Sequence, residues 1–268
     1  MKKQFIIFAA LYFACLLNVN AWAQEEEPEK SRPATGFYAY PPRWLVDMPT
    51  AGTLPRASFD VAIRLYPNGG ALGMVDIGLS NRLQLGISYG GEGVISNRSA
   101  DWNPDINFNF KMRVVDEMEF FPAITGGFCT QGFGAWDDGL NRYTFKSRGF
   151  YAVASRSFYF YSWTAGWHFG VNYSLEGDID QDESINAFGG FDATFQYNLA
   201  FVIEYDGALN DNKSSIFGGR GRGYLNTSLR WLFTDNLELE LMLKDLLTNR
   251  RESSTFTREI RITYIENF

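Results

Sequence analysis

The sequence predicts an all-β fold: a single antiparallel transmembrane β-barrel of about twelve strands, of the outer-membrane type. Three observations predict it. Apolar and polar residues alternate with period two from about Ser58 to the C-terminus, tight turns alternate with long polar loops, and the chain opens on an export signal. Composition narrows the rest. With 46% hydrophobic, 17% aromatic and 21% charged residues and a formal net charge of −7, the chain is neither a solvated coil nor a phosphate tracker, so nucleic acid is excluded as a partner. Two Cys and a single His leave no ligand set for a metal site, and no cofactor is expected.

Lys2 and Lys3 precede an apolar run from Phe5 to Leu17, and Ala21-Trp22-Ala23 has the small residues of a cleavage site, so residues 1–23 read as a signal peptide. Cys15 follows Tyr12-Phe13-Ala14, a poor match to a lipoprotein box. Beyond the signal, no stretch approaches the ~18 to 20 apolar residues of a membrane helix, so a membrane location requires strands. Residues 24–57 form a periplasmic lead-in that opens on Glu25-Glu26-Glu27-Pro28-Glu29 and repeats Pro33, Pro41, Pro42, Pro49 and Pro55. It reads as a linker, or as a segment packed at the barrel mouth through Tyr38, Tyr40 and Trp44.

The barrel, residues 58–268, begins with Phe59, Val61, Ile63 and Leu65 alternating with Asp60, Ala62 and Arg64. Leu83 to Tyr89, Ile106 to Val114, Trp163 to Tyr173, Phe191 to Tyr197, Leu199 to Tyr205 and Leu237 to Leu243 repeat the pattern. Weaker runs at about 70–80, 119–132, 146–160 and 219–234, with the last at 255–268, bring the count to about twelve. Ser80-Asn81, Asp116-Glu117, Phe160-Tyr161, Asn198 and Asp235-Asn236 read as tight turns, while about 91–103, 133–145, 174–185, 207–219 and 245–254 read as long outer loops; Pro67-Asn68-Gly69-Gly70 is a short outer hairpin. A soluble sandwich or lipocalin-like barrel also alternates. The turn asymmetry, the aromatics at strand ends (Tyr66, Tyr89, Tyr173, Tyr197, Trp231, Phe233) and the terminal strand ending on Tyr264 and Phe268 favour the membrane barrel. Tyr264 and Phe268 look like the signal read by the barrel assembly machinery.

In such a barrel the polar face of each strand lines the lumen. Parity places Arg64, Asp76, Lys111, Arg113, Asp192, Glu204, Asp206, Arg230, Glu240 and Arg261 there as a charge network, together with Asp60, Arg156, Glu238, Lys244 and Glu259. Signs nearly cancel, which predicts ion pairs that partly fill the interior; a selective channel is more often lined by one sign. His168 has lumen parity, and no His-x-Ser segment accompanies it, so it reads as a satisfied lumen histidine and not a catalytic base. The acidic stretch Asp178-Ile179-Asp180-Gln181-Asp182-Glu183 lacks the Gly and Glu of a calcium loop and reads as a solvated outer loop. Gly219-Arg220-Gly221-Arg222-Gly223 reads as a flexible, charged outer loop, with contact to anionic lipid or polysaccharide as the sharper alternative.

Several segments resemble those of YjbH-like outer-membrane barrels: Pro49-Thr50-Ala51-Gly52-Thr53-Leu54-Pro55-Arg56, Tyr66-Pro67-Asn68-Gly69-Gly70, Gly78-Leu79-Ser80-Asn81-Arg82-Leu83-Gln84-Leu85-Gly86 and Glu204-Tyr205-Asp206-Gly207. Phe121-Pro122-Ala123 with Gln131-Gly132, and Gly170-Val171-Asn172-Tyr173-Ser174, are similar too. The chain departs from longer members that carry further domains beside the barrel. The resemblance implies a non-enzymatic envelope role linked to exopolysaccharide production or export, in the outer membrane of a Gram-negative cell. Partners are then outer-membrane lipid and lipopolysaccharide, the assembly machinery and polysaccharide export components. A small porin-like diffusion channel and an outer-membrane hydrolase are the alternatives.

Overall fold

Strict period-two alternation can satisfy two unlike surroundings at once, and twelve strands of this chain close into a cylinder that separates them. The computed structural model describes residues 42–268 except 162, 177–178, 196–197 and 214–217. The expected signal peptide, Tyr38, Tyr40, Asp178 and Tyr197 lie outside the described residues. The strands are β1 (Ser58–Tyr66), β2 (Gly70–Ser80), β3 (Leu83–Glu92), β4 (Asp101–Trp102), β5 (Asn107–Val115), β6 (Ala123–Cys129), β7 (Phe133–Asp137), β8 (Arg142–Phe145), β9 (Gly149–Tyr159), β10 (Trp163–Tyr173), β11 (Asn186–Phe195), β12 (Leu199–Asp206), β13 (Tyr224–Thr234), β14 (Leu237–Lys244) and β15 (Thr257–Asn267).

All but β4, β7 and β8 belong to the wall. Each wall strand pairs antiparallel with the next, and β15 returns to β1 in register from Ser58↔Asn267 to Leu65↔Ile260. The barrel is therefore closed and twelve-stranded, as the alternation predicts. Two connections differ from expectation. The turn at Asp116-Glu117 extends through 116–122 because β6 begins only at Ala123. Residues 133–145, expected as a polar loop, form the β7–β8 hairpin: Leu140 N–H donates to Asp137 Oδ1 (2.9 Å) and Asn141 takes φ 51° around the Asp138-Gly139 tip.

The outward face carries apolar side chains: Ile63, Ile87, Phe108, Trp167, Phe169 and Ile262 are each close to half exposed or more. A belt of this kind is unstable in water and is the favoured surface in hydrocarbon. Among the described strand residues, outward charges occur only near strand ends, at Arg156, Arg258 and Glu266, within reach of the interface. Arg156 corrects its expected lumen placement. Ser155 and Ser157 face inward, and Arg156 Nη1 donates to the carbonyls of Met118 (2.5 Å) and Phe121 (3.3 Å) at the short-turn end. Small residues at Ala152 and Ala154 leave the parity of β9 unreadable. Tyr66, expected in an aromatic girdle, points inward with Asp60, Ala62 and Arg64; it faces Gly70, where a Cβ would lie 2.0 Å from its ring. Outer aromatics pair at both ends instead, Tyr89 with Trp102 (5.6 Å) at the long-loop end and Phe160 with Trp163 (3.9 Å) at the other.

The C-terminus locks the closure. Phe268 N–H donates to the Ala57 carbonyl (2.7 Å), and its ring lies 5.2 Å from Phe59. Deleting Phe268 is expected to lower the folded fraction severalfold, read as heat-modifiable gel mobility of membrane fractions; an unchanged folded fraction at equal expression would remove the terminal residue from the assembly signal.

Candidate functional site

A wall whose inner face is charged must find partners for those charges, and the lead-in supplies many of them. Residues 43–55 enter from the short-turn end, turn back at Leu45–Met48 and return to β1. Leu45 N–H donates to the Met48 carbonyl (2.8 Å) and Thr50 N–H to that of Arg43 (3.1 Å), which makes the segment a hairpin-like plug. Leu45, Met48 and Leu54 are fully buried. Glycines in the wall make room: a Cβ at Gly78 would lie 1.9 Å from the Pro55 carbonyl oxygen, and one at Gly190 2.5 Å from Leu45 Cδ1. Trp44 and its neighbours are thus packed within the lumen.

The ten candidate lumen residues all face inward, and they divide by partner. Arg64 joins Glu259 (2.5 Å) and Asp47 of the plug (2.7 Å), and Lys244 holds the other oxygen of Asp47 (2.7 Å). Lys111 Nζ donates to the carbonyls of Arg43 (2.7 Å) and Gly52 (3.2 Å) and stands 4.7 Å over the Trp44 ring. Arg113 reaches the Ala51 carbonyl (3.1 Å) and Thr53 Oγ1 (2.7 Å). Arg230 bridges Glu240 (2.8 Å) and the carbonyls of Trp44 (2.9 Å) and Leu45. Glu204 accepts the Asp47 and Met48 N–H groups, both at 2.7 Å. Glu240 also pairs with Arg261 (2.8 Å), Asp76 accepts from Asn109 (2.8 Å), and Asp206 pairs with Arg148 (3.1 Å). Asp60 holds Arg43 (2.5 Å). The cavity left beside the plug, lined by Trp44, Asp60, Asp76, Arg230, Glu238 and Arg261 among others, is about 80 Å³, room for a few waters.

A lid closes the other end. The β7–β8 hairpin folds over the lumen so that the Phe133 ring lies 4.2 Å from the Arg64 guanidinium and the Phe145 ring 3.9 Å from Lys244 Nζ. Arg142 ties it to Asp180 (2.8 Å) and Asp211 (2.6 Å), and Lys146 joins Asp180 (2.7 Å). Glu176 accepts the N–H groups of Tyr143 (3.1 Å) and Ser147 (3.2 Å); burial pushes its carboxyl above the ordinary range, against those hydrogen bonds. The acidic loop is solvated in part: Ile179, Gln181 and Glu183 are exposed, while Asp180 and Asp182 are tied to loop cations and N–H groups. Nor is the Gly-Arg loop free: Arg220 and Arg251 donate to carbonyls across it, and Arg222 to that of Leu247 (3.2 Å).

His168 has the serine partner that its own strand lacks. Cross-strand register sets Ser155 opposite it, and the imidazole lies between Ser155 Oγ (2.8 Å) and Asp192 Oδ1 (2.7 Å). These are the side chains of a nucleophilic triad, but Ser155 Oγ also accepts the Ala51 N–H (2.8 Å) of the plug. His168 and Ser155 are buried and line none of the cavities described. Through the Ala51 N–H the arrangement anchors the plug.

Sequence reasoning missed Asp47, Ser155 as a partner, and the lid cations Arg142, Lys146 and Arg148. Asp47 was findable as the one charge within 44–55, and the lid as Asp137-Asp138-Gly139 between aromatic flanks.

No family model and no curated protein matches the chain. Among solved structures it is similar to the KdgM porin, at 12% identity and a TM-score of 0.47 over 77% of this chain and 98% of that one. It is also similar to the COG4313 outer membrane channel from Pseudomonas putida F1, at 11% and 0.43 over 80% and 97%, and to the NanC porin, at 9% and 0.41 over 78% and 99%. Identities of this size leave the chain's own residues as the basis for its function.

Asp47→Ala leaves Arg64 and Lys244 with Glu259 alone. A loss of about 3 kcal/mol is expected, the lower end of the range for breaking a buried pair, because Glu259 stays within 2.5 and 3.4 Å. Thermal unfolding of the purified barrel checks this, and a loss below about 1 kcal/mol, the level of an exposed pair, would mean that Asp47 does not hold the plug.

Proposed function

We propose that the chain is a non-enzymatic outer-membrane channel closed by its own N-terminal hairpin, which must leave the lumen for solute to pass. The observation that carries this reading is how the plug is held. Its grip is polar as well as apolar: Lys111, Arg113 and Arg230 bond its backbone carbonyls and Asp47 sits between Arg64 and Lys244, while Leu45, Val46 and Met48 pack in one apolar cluster with Val153, Phe188 and Val202 of the wall. Water or a polar solute replaces the polar partners at modest net cost, and the apolar contacts of Leu45, Val46 and Met48 keep the plug seated at rest. A withdrawn plug leaves a passage lined by both signs of charge, with Lys111 among the exposed cations.

Orientation follows from turn length. The short turns and the plug face the periplasm, the long loops and the lid face outward, and export to that location calls for the signal peptide at residues 1–23. Resemblance to YjbH-like barrels supports an exopolysaccharide-linked envelope role, which names the assembly machinery, lipopolysaccharide and polysaccharide export components as partners.

Full-length protein in planar bilayers is expected to show little steady conductance. Deleting 43–54 should raise conductance at least tenfold, and further replacing 134–144 of the lid with a short turn should raise it again. Folding of each variant is read by heat-modifiable mobility. A folded double variant that stays closed would overturn the channel, and phospholipid or peptide hydrolysis abolished by His168→Ala would restore the hydrolase.

A further inference from the structure

The wall is not of even height at its long-loop end. β3 continues to Glu92, where it pairs with β4, whereas β9 begins at Gly149, level with Cys129 at the end of β6. Between them β5 starts at Asn107 and β6 stops at Cys129, after which the chain turns inward to the lid. The step down from the β3–β4 pair to the end of β6 leaves a notch in the wall, and an open cavity of about 1070 Å³ occupies it, the size of a large small-molecule site.

Its lining changes from outside to inside. The mouth is built of Val75, Ile87, Ile106, Phe108 and Phe128, continuous with the lipid-facing surface of the barrel. The inner end presents Asn107, Tyr143, Ser147 and Glu176, with Asn107 Nδ2 donating to the Tyr143 hydroxyl (2.6 Å). The Tyr89–Trp102 stack, two residues beyond Ile87, marks the interface level, so the mouth opens just below it, where hydrocarbon begins. Among the described residues no Lys or Arg lines the cavity, while the carboxyl residues Asp105 and Glu176 do.

We propose that this notch binds the hydrocarbon tail of a membrane amphiphile with an uncharged, hydrogen-bonding head. The tail lies on Ile87, Phe108 and Phe128, and the head reaches Asn107 and Tyr143 beneath the lid. An apolar groove that opens on hydrocarbon is filled from it, and a cavity with two carboxyl residues and no cation disfavours phosphate or carboxylate heads. The site shares Ile87, Ser88 and Cys129 with the lumen cavity, and none of its described lining residues belongs to the plug.

The test uses the full chain, folded into nanodiscs of zwitterionic lipid and irradiated with a diazirine-bearing long-chain alcohol or the matching fatty acid, with adducts mapped by mass spectrometry. Alcohol adducts are expected on 104–110, 128–130 and 136–147 severalfold above the outer face of β13–β14, with the acid severalfold weaker there. Ile87→Trp, an outward position that tolerates bulk, fills the mouth and should bring the alcohol to the background of that face; Asn141→Trp should do so from the lid side. Even labelling around the wild-type barrel, notch labelling unchanged in both folded variants, or acid labelling as strong as alcohol would overturn the proposal.

Discussion

In hydrocarbon a peptide group without a hydrogen-bond partner costs several kcal/mol, and the meeting of β15 with β1 is what leaves no sheet edge exposed. Everything else in the molecule follows from that closure. Once the sheet is a cylinder, alternate residues along every strand have opposite surroundings, so the side chains that cannot face lipid face one another. The result is a protein turned inside out, with Ile63, Phe108 and Phe169 on the surface and Arg64, Lys111 and Glu240 at the centre.

Magnitudes decide what the centre is for. A buried ion pair returns little beyond the cost of desolvating it, whereas a buried charge that loses its partner costs several kcal/mol. The ladders and the bilayer therefore carry the stability, and the lumen charges dictate which segment lies where. Glu204 illustrates this: its carboxylate takes the N–H groups of Asp47 and Met48 and so fixes the tip of the hairpin rather than adding to the strength of the wall.

How much of this the sequence discloses depends on periodicity. Arg64, Lys111, Glu204 and Glu240 sit in runs that alternate cleanly, and the face they occupy can be read from parity alone. Arg156 sits among alanines and serines that suit either face, and there the reading fails. Parity gives the face but not the register. The contact of His168 with Ser155 depends on the pairing of β9 with β10, and that of Glu204 with Asp47 on a segment with no periodicity at all. The notch was equally hidden, because it arises from where pairing between strands stops and not from any residue type.

The plug and the lid meet the same two cations. Asp47 holds Arg64 and Lys244 from below while Phe133 and Phe145 lie against them from above, so the two closures share one anchor beside those each has to itself. Their occupancies are then thermodynamically linked: whatever the plug gains from the lid being seated, the lid gains from the plug, in equal free energy. Through that shared pair of side chains, an influence at the lid can be felt at the plug without any displacement of the wall.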